Sequence, residues 1–290
     1  MVYRKQGLGD RLFELAVYSA LLFLAALTLF PILQVITISV SPSHLVNRYG
    51  LHLFPTEITF DGYKSVLQNN LIWTAYRNTI FTTFFGTLLS LLVLVLGAYP
   101  LSKPTLPHRR FWNAFFVFTL YFQGGIVPTF LLVNALGLRN SMLSLILPRL
   151  TYAFNLIILR NFFSSLPKEL EESAKIDGAG DLRILFQILL PLSKPVLATI
   201  ALWKGVFQWN MWFDCMIYIE DQSKFLLQYV LRMILIEGQQ EHLTSVTTNY
   251  VGLETMKMAT LVLATLPIIC IYPFVQKYFV KGALIGAVKG

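Results

Sequence analysis

The sequence specifies an all-α integral membrane protein with six transmembrane helices and both termini on the cytoplasmic side. Composition is the first reason. The chain is 56% hydrophobic and only 13% charged, with a mean hydropathy of +0.62, whereas a soluble domain has about a quarter of its residues charged. The second is six apolar runs, each long enough to cross a hydrocarbon core of roughly 30 Å, which takes about 20 helical residues. The third is the distribution of cations. With the N-terminus inside, fourteen of the 23 lysines and arginines fall in cytoplasmic segments and eight in the longer outer loops, as the positive-inside bias requires. The net charge of +8 is thus accounted for by topology. No basic, aromatic-interleaved patch marks a nucleic-acid surface.

The first apolar run spans about Leu12 to Val40 after a polar start carrying Arg4, Lys5 and Arg11. It is far longer than a signal peptide's apolar core and lacks a small-residue cleavage site after it, so it reads as a retained helix that Pro31 kinks. A mixed loop follows to Tyr76. The second run covers about Arg77 to Leu101, the third Phe111 to Leu136 and the fourth Met142 to Phe163. The fifth begins near Lys194-Pro195 and ends around Phe213, and the sixth runs from Lys257 to Val275. Between these last two, Phe225 to Ile236 is too short to span and contains Gln228 and Arg232, so an amphipathic helix is expected, on the membrane surface or against the protein.

One stretch breaks the apolar pattern: Pro167 to Pro191, PKELEESAKIDGAGDLRILFQILLP. It predicts two short helices joined by a corner. Pro167 suits a first helical turn, and Glu169, Glu171 and Glu172 sit at the positive end of that helix's dipole. Gly178-Ala179-Gly180 supplies left-handed backbone angles for a helix end, Asp181 is placed to N-cap the next run, and Pro191 to stop it. Leu182, Leu185, Ile188 and Leu189 fall on one face of that run, which should rest on something apolar.

These residues carry a family resemblance. Glu172-Ser173-Ala174, three residues, Gly178, nine residues, then Ile188-Leu189-Leu190-Pro191 resembles the EAA loop of ABC importer permeases, E-A-A-x3-G-x9-I-x-L-P, with Ser173 in place of one alanine. Blocks elsewhere are similar to permeases of the carbohydrate-uptake branch for complex oligosaccharides. They are Gln123-Gly124-Gly125-Ile126-Val127-Pro128, Arg160-Asn161-Phe162-Phe163, Leu227-Gln228-Tyr229 with Leu231-Arg232, and the tail from Gln276 to Gly282 and on to Gly290. Phe60-Asp61-Gly62-Tyr63-Lys64 resembles the loop after the first helix of sugar permeases.

The resemblance implies a type I importer fold and a division of the chain. Residues 1–290 form one transmembrane permease domain, 164–191 a cytoplasmic coupling loop, 214–256 an extracytoplasmic loop with an amphipathic helix, and 277–290 a cytoplasmic tail. The implied partners are a second, different permease subunit, two ATPase subunits, an extracytoplasmic sugar-binding protein and membrane lipid. Glu171, Glu172, Ser173, Ala174, Asp177, Gly178, Ala179, Ile188 and Pro191 would dock the loop on an ATPase. The glycine-rich tail, with Gly282, Gly286 and Gly290 four residues apart, would reach into the ATPase pair. An ordinary amphipathic loop and a frayed basic end are the plainer readings of the same two stretches.

No G-x-x-x-x-G-K-[ST] loop occurs, so ATP and Mg are expected on the partner ATPase and no cofactor on this chain. His44, His52, His108 and His242 have no metal-ligand spacing, Cys215 and Cys270 are isolated, and no nucleophile has a base beside it in sequence, so an enzyme is not indicated. A sugar path needs hydroxyl partners and aromatic faces inside the membrane. Candidates are Gln123, Asn134, Tyr152, Asn155, Lys204, Gln208, Trp209, Asn210 and Trp212, each of which could equally serve an interhelical hydrogen bond or an interfacial ring. Gly124, Gly125 and Pro128 should interrupt the third helix there.

The function these observations predict is that of a permease subunit in an ATP-driven oligosaccharide importer in the cell membrane, working by alternating access. A permease for a non-sugar solute is the alternative within the family. A stand-alone secondary carrier is the alternative outside it, but such a carrier calls for intramembrane carboxylates and internal repeats that the sequence does not display.

Overall fold

The computed structural model describes residues 8–46, 53–237 and 252–287, and every regular element among them is helical. Arg4, Lys5, Arg48, His52, His242 and Gly290 lie outside the described residues, as does 238–251 of the expected outer loop. The chain divides into two compact units, one drawn from Met1–Asn69 and Ile234–Thr265, the other from Asn70–Met233 and Leu266–Gly290.

In the first unit, α1 (Leu8–Ser39) is followed by two short helices, α2 (Ser43–Val46) and α3 (Asp61–Leu67). α1 is a span by length and apolarity and leaves almost its whole surface open, Pro31 included within it. The start of α15 (Leu253–Ala287) belongs to this unit and packs on α3. Gly62 explains the contact: a Cβ there would come within 3.0 Å of Thr255 Cγ2 and 3.2 Å of its carbonyl oxygen. Ser39 and Tyr63 share a hydrogen bond of 2.8 Å, and the Thr59 amide donates to the Val40 carbonyl at 2.8 Å. The Phe60–Lys64 motif is therefore a packing device at the exit of α1.

The second unit is built on α4 (Asn70–Ser102), an uninterrupted 33-residue helix. Around it come α5 (Arg109–Tyr121), α6 (Ile126–Ala135), α7 (Leu143–Ile146) with a 3-10 turn to Arg149, and α8 (Ala153–Ser165). Then follow α9 (Glu169–Ile176), α10 (Asp181–Ile184), a π-turn over Leu185–Leu189, α11 (Leu190–Leu192), α12 (Lys194–Trp209), α13 (Phe213–Tyr218) and α14 (Leu227–Arg232). The core lies where α4, α8, the α10–α11 run and α12 meet, around Leu94, Ala98, Leu159, Ile184, Leu189 and Ile200. α4 and α12 approach closely because each offers a glycine to the other. Gly86 faces the Gln208 side chain, and Gly205 faces Thr87. Small residues play this part in membrane helix pairs, where lipid gives no hydrophobic drive to associate.

Six spans were expected as six helices, and the structure gives three unbroken helices and three bent pairs. α1, α4 and α15 are long and apolar enough to cross, and six spans result if each bent pair counts as one. α5 and α6 meet at 113°, α7 with its 3-10 turn and α8 at 54°, and the Asp181–Leu192 run and α12 at 82°. Gly125, at φ 82°, makes the first break; Pro128 falls harmlessly in the opening turn of α6. The fifth run ends at Trp209 rather than Phe213, and the sixth helix carries on past Val275 to Ala287, taking Gly282 and Gly286 into its backbone. The expected amphipathic helix is α14 continued by a π-turn. It lies against the protein: Leu227, Val230 and Leu231 are buried, with α14 packed on α4.

Candidate functional site

The polar stretch after α8 folds as two helices and a corner. α9 ends in a hydrogen-bonded reversal: the Gly178 amide donates to the Lys175 carbonyl at 3.0 Å and the Ala179 amide to Ala174 at 2.9 Å. This pairing needs a left-handed residue between helix and exit, and Gly178 has φ 76°. Three local expectations shift. Pro167 precedes the N-cap Lys168 instead of entering the first turn, and Gly180, not Asp181, is the N-cap of α10. Pro191 does not stop the second helix, which continues to Leu192. Its ring cannot accept the regular ladder, because it has no N–H for the Gln187 carbonyl and crowds it, and the π-turn at Leu185–Leu189 takes up the mismatch. The buried face is consequently Ile184, Leu185 and Leu189 with Ile188 half-buried, while Leu182 is 65% exposed.

The docking candidates separate by direction. Glu172, Ser173, Asp177, Gly178 and Pro191 are exposed, and Ile176 stands 87% exposed beside them. Ala174 is buried, Ala179 is half-buried, and Glu171 is turned inward to an ion pair with Lys103 just past the end of α4. The Lys103 ammonium also lies 4.3 Å from the centre of the Tyr99 ring. The Tyr99 hydroxyl donates to Asp181 at 3.3 Å, and the Lys175 ammonium stands 3.7 Å from the same carboxylate oxygen. Both helices of the segment are thereby tied to the last turn of α4.

The second feature is a cavity of about 1050 Å³ in the same unit. Of the path candidates, Gln123, Tyr152, Asn155 and Lys204 line it, and Phe154 and Trp203 present rings 6.0 Å apart on its wall. The helix breaks create it. Where the turn at Arg149 gives way to α8, carbonyls lose their intrahelical donors, and side chains from other helices replace them. Ser90 of α4 donates to the Leu150 carbonyl at 2.6 Å, and the Lys204 ammonium of α12 to the Arg149 carbonyl. Irregular backbone at membrane depth is tolerated where it is buried in protein or lines such a cavity.

The remaining candidates lie elsewhere. Asn134 is exposed on α6, Gln208 is buried between α4 and α12, and Trp209 meets Tyr76 edge-on at 6.2 Å. Asn210 donates to the Val206 carbonyl at its own helix end, and Trp212 lies under the Arg232 guanidinium at 3.9 Å. Two residues that sequence reasoning passed over belong to the cavity. Arg149, counted among the outer-loop cations, sits at the break in the fourth apolar run and pairs with Asp214, Nε to Oδ2 at 2.9 Å and Nη2 to Oδ1 at 3.2 Å. The available signal was opposite charges at the break of one apolar run and the end of the next, which seldom persist in a membrane unpaired.

Known proteins share this architecture. The family model for the inner membrane component of binding-protein-dependent transport systems matches residues 79–284. The chain belongs to that family. The permease is 42% identical to the polygalacturonan/rhamnogalacturonan transport system permease protein of Bacillus subtilis over 284 residues, 97% of this chain and 99% of the relative. It is 30% identical to the arabinooligosaccharides transport system permease protein of Halalkalibacterium halodurans, covering 92% and 94%. It also superimposes on a chain from the crystal structure of a bacterial ABC transporter involved in import of the acidic polysaccharide alginate, with a TM-score of 0.91 and 37% identity over 95% of this chain and 99% of that one. The permease accordingly has the type I ABC importer fold, resides in the membrane, and is a transport component that leaves ATP hydrolysis to an ATPase.

Proposed function

We propose that the permease carries an oligosaccharide, forming half of a path whose other half is a second, different permease. Two ATPases would bind from the cytoplasm, where both termini lie, and an extracytoplasmic sugar-binding protein would deliver the substrate. The observation that carries the substrate class is the cavity at the helix breaks. Amide, phenol and ammonium groups of Gln123, Asn155, Tyr152 and Lys204 stand among aromatic faces there, the mixture that hydroxyl-rich rings with apolar faces need. Relatives named for polygalacturonan, rhamnogalacturonan, arabinooligosaccharide and alginate transport support the same class.

In this reading the 164–191 segment docks on an ATPase through Glu172, Ser173, Ile176, Asp177 and Gly178. Closure of the ATPases on ATP, with its Mg, would displace α9. The Lys103–Glu171 and Tyr99–Asp181 contacts would pass that displacement to α4, which also walls the cavity. Affinity purification from the native membrane in mild detergent tests the assembly: a second permease and an ATPase should be retained. ATP-dependent uptake of oligosaccharide by vesicles containing the retained complex tests the function. Recovery of the permease alone, under conditions that hold a known importer together, would overturn the reading.

A further inference from the structure

We infer that the cavity selects an oligosaccharide bearing carboxylates, with Lys204 and Arg149 as the groups that bind them; this rests on the oligosaccharide reading above. Among the described residues, the charged side chains on the cavity wall are Arg149, Lys204 and Asp214, two cations against one anion. Asp214 is engaged by the Nε and Nη2 edge of Arg149, and 42% of the Arg149 side chain remains accessible. Lys204 makes no ion pair among the described residues: its ammonium donates to a carbonyl, that of Arg149, and lies 5.4 Å from the Phe207 ring centre. The cavity wall therefore keeps an excess positive charge, with the Lys204 ammonium held at the backbone of the residue whose side chain is the other cation.

A charge is not required for the structural task that Lys204 performs. One residue further along the same break, the Leu150 carbonyl is satisfied by the neutral hydroxyl of Ser90. Holding an ammonium in a membrane interior costs several kcal/mol, so the charge itself calls for an anion at the site. Neutral sugar hydroxyls would be served by Gln123, Asn155 and Tyr152 without it. A carboxylate fits best, because it can accept from the ammonium and the free part of the guanidinium together. The volume, about 1050 Å³, lies at the upper end of small-molecule sites, about 300–1,000 Å³, and suits an oligomer over a single sugar.

The test uses the complete importer in proteoliposomes and compares ATP-driven uptake of oligogalacturonate with that of its methyl ester, for wild type, Lys204→Met and Lys204→Arg. The binding protein is the same throughout, so a change in the acid-to-ester ratio belongs to the permease. The expected result is at least a tenfold loss of acid uptake in Lys204→Met, a smaller loss of ester uptake so that the acid-to-ester ratio falls several-fold, and recovery of acid uptake in Lys204→Arg. If wild type imports the acid alone, recovery by Lys204→Arg but not by a neutral Lys204→Gln supports the inference equally. Equal losses for acid and ester, no loss for either, or a wild type that imports neutral oligosaccharides but not the acid would each overturn the inference and leave the oligosaccharide reading standing. A wild type that hydrolyses ATP yet imports no oligosaccharide would overturn that reading and this inference with it.

Discussion

Lys103 and Glu171, 68 residues apart in sequence, form an ion pair in which each side chain is only 19% exposed. It joins the end of the longest helix of its unit to the first helix of the polar segment directly through side chains, bypassing the path along the chain through α5 to α8.

Removing that link should loosen coupling more than folding. Lys103→Met is expected to lower stability by about 1 kcal/mol, since the pair is partly shielded from solvent, and to reduce uptake per ATP hydrolysed several-fold. The exchange Lys103→Glu with Glu171→Lys should regain part of the loss. Paired measurements of uptake and phosphate release in proteoliposomes check both.

Gly178 is held at φ 76° by the helix-ending hydrogen bonds. Proline cannot adopt that angle and removes the amide that donates to Lys175, so Gly178→Pro should unwind the corner and abolish coupled transport while the protein still inserts. A Cβ at this site meets nothing within 4 Å, so Gly178→Ala carries only the backbone strain, about 1–2 kcal/mol, and should retain partial uptake. Quantifying membrane levels alongside uptake separates insertion from coupling.

At Gly86 the limit is space. A side chain there would collide with the Gln208 amide, whose Oε1 is buried without a hydrogen-bond partner among the described residues. Gly86→Val should destabilise the α4–α12 contact by about 1–3 kcal/mol. Combining it with Gln208→Ala should cost less than the two separate effects together, a non-additivity expected of touching residues. Thermal unfolding of the detergent-solubilised complex reads this directly.

Asn78 reaches across to the segment between α13 and α14, its amide donating to the Ser223 carbonyl at 2.8 Å and the Phe225 carbonyl at 3.1 Å. Beside it Thr79 accepts from the Leu227 amide at 2.8 Å. Asn78→Ala leaves those carbonyls without their donor and is expected to cost about 2 kcal/mol. The signature is faster hydrogen exchange over residues 222–232, with α4 itself unchanged.

The helical class, the places of the apolar runs and the corner at Gly178 were legible because each depends on local chemistry: helix length against membrane thickness, and a residue type that tolerates positive φ. The exposed half of the polar segment was legible for the same reason. The inward turn of Glu171 was not, because Glu171 and Glu172 are adjacent and alike in sequence, and only the position of Lys103 distinguishes them.

What the sequence by itself determined was therefore the solvent the chain lives in, its element order and the residues of the polar segment. The tertiary structure alone decided where the apolar runs bend and which polar groups meet at the bends. A broken helix exposes carbonyls that some other helix must satisfy, and Ser90, Lys204 and Asp214 come from helices distant in sequence from Arg149 and Leu150. Gln208 lies about one turn beyond Lys204 on nearly the same face of α12, and Trp209 well round the axis from it; they reach α4 and Tyr76 rather than the cavity. Periodicity fixes the relative angles of residues on a helix, but the direction of the face is set by the helices packed around it.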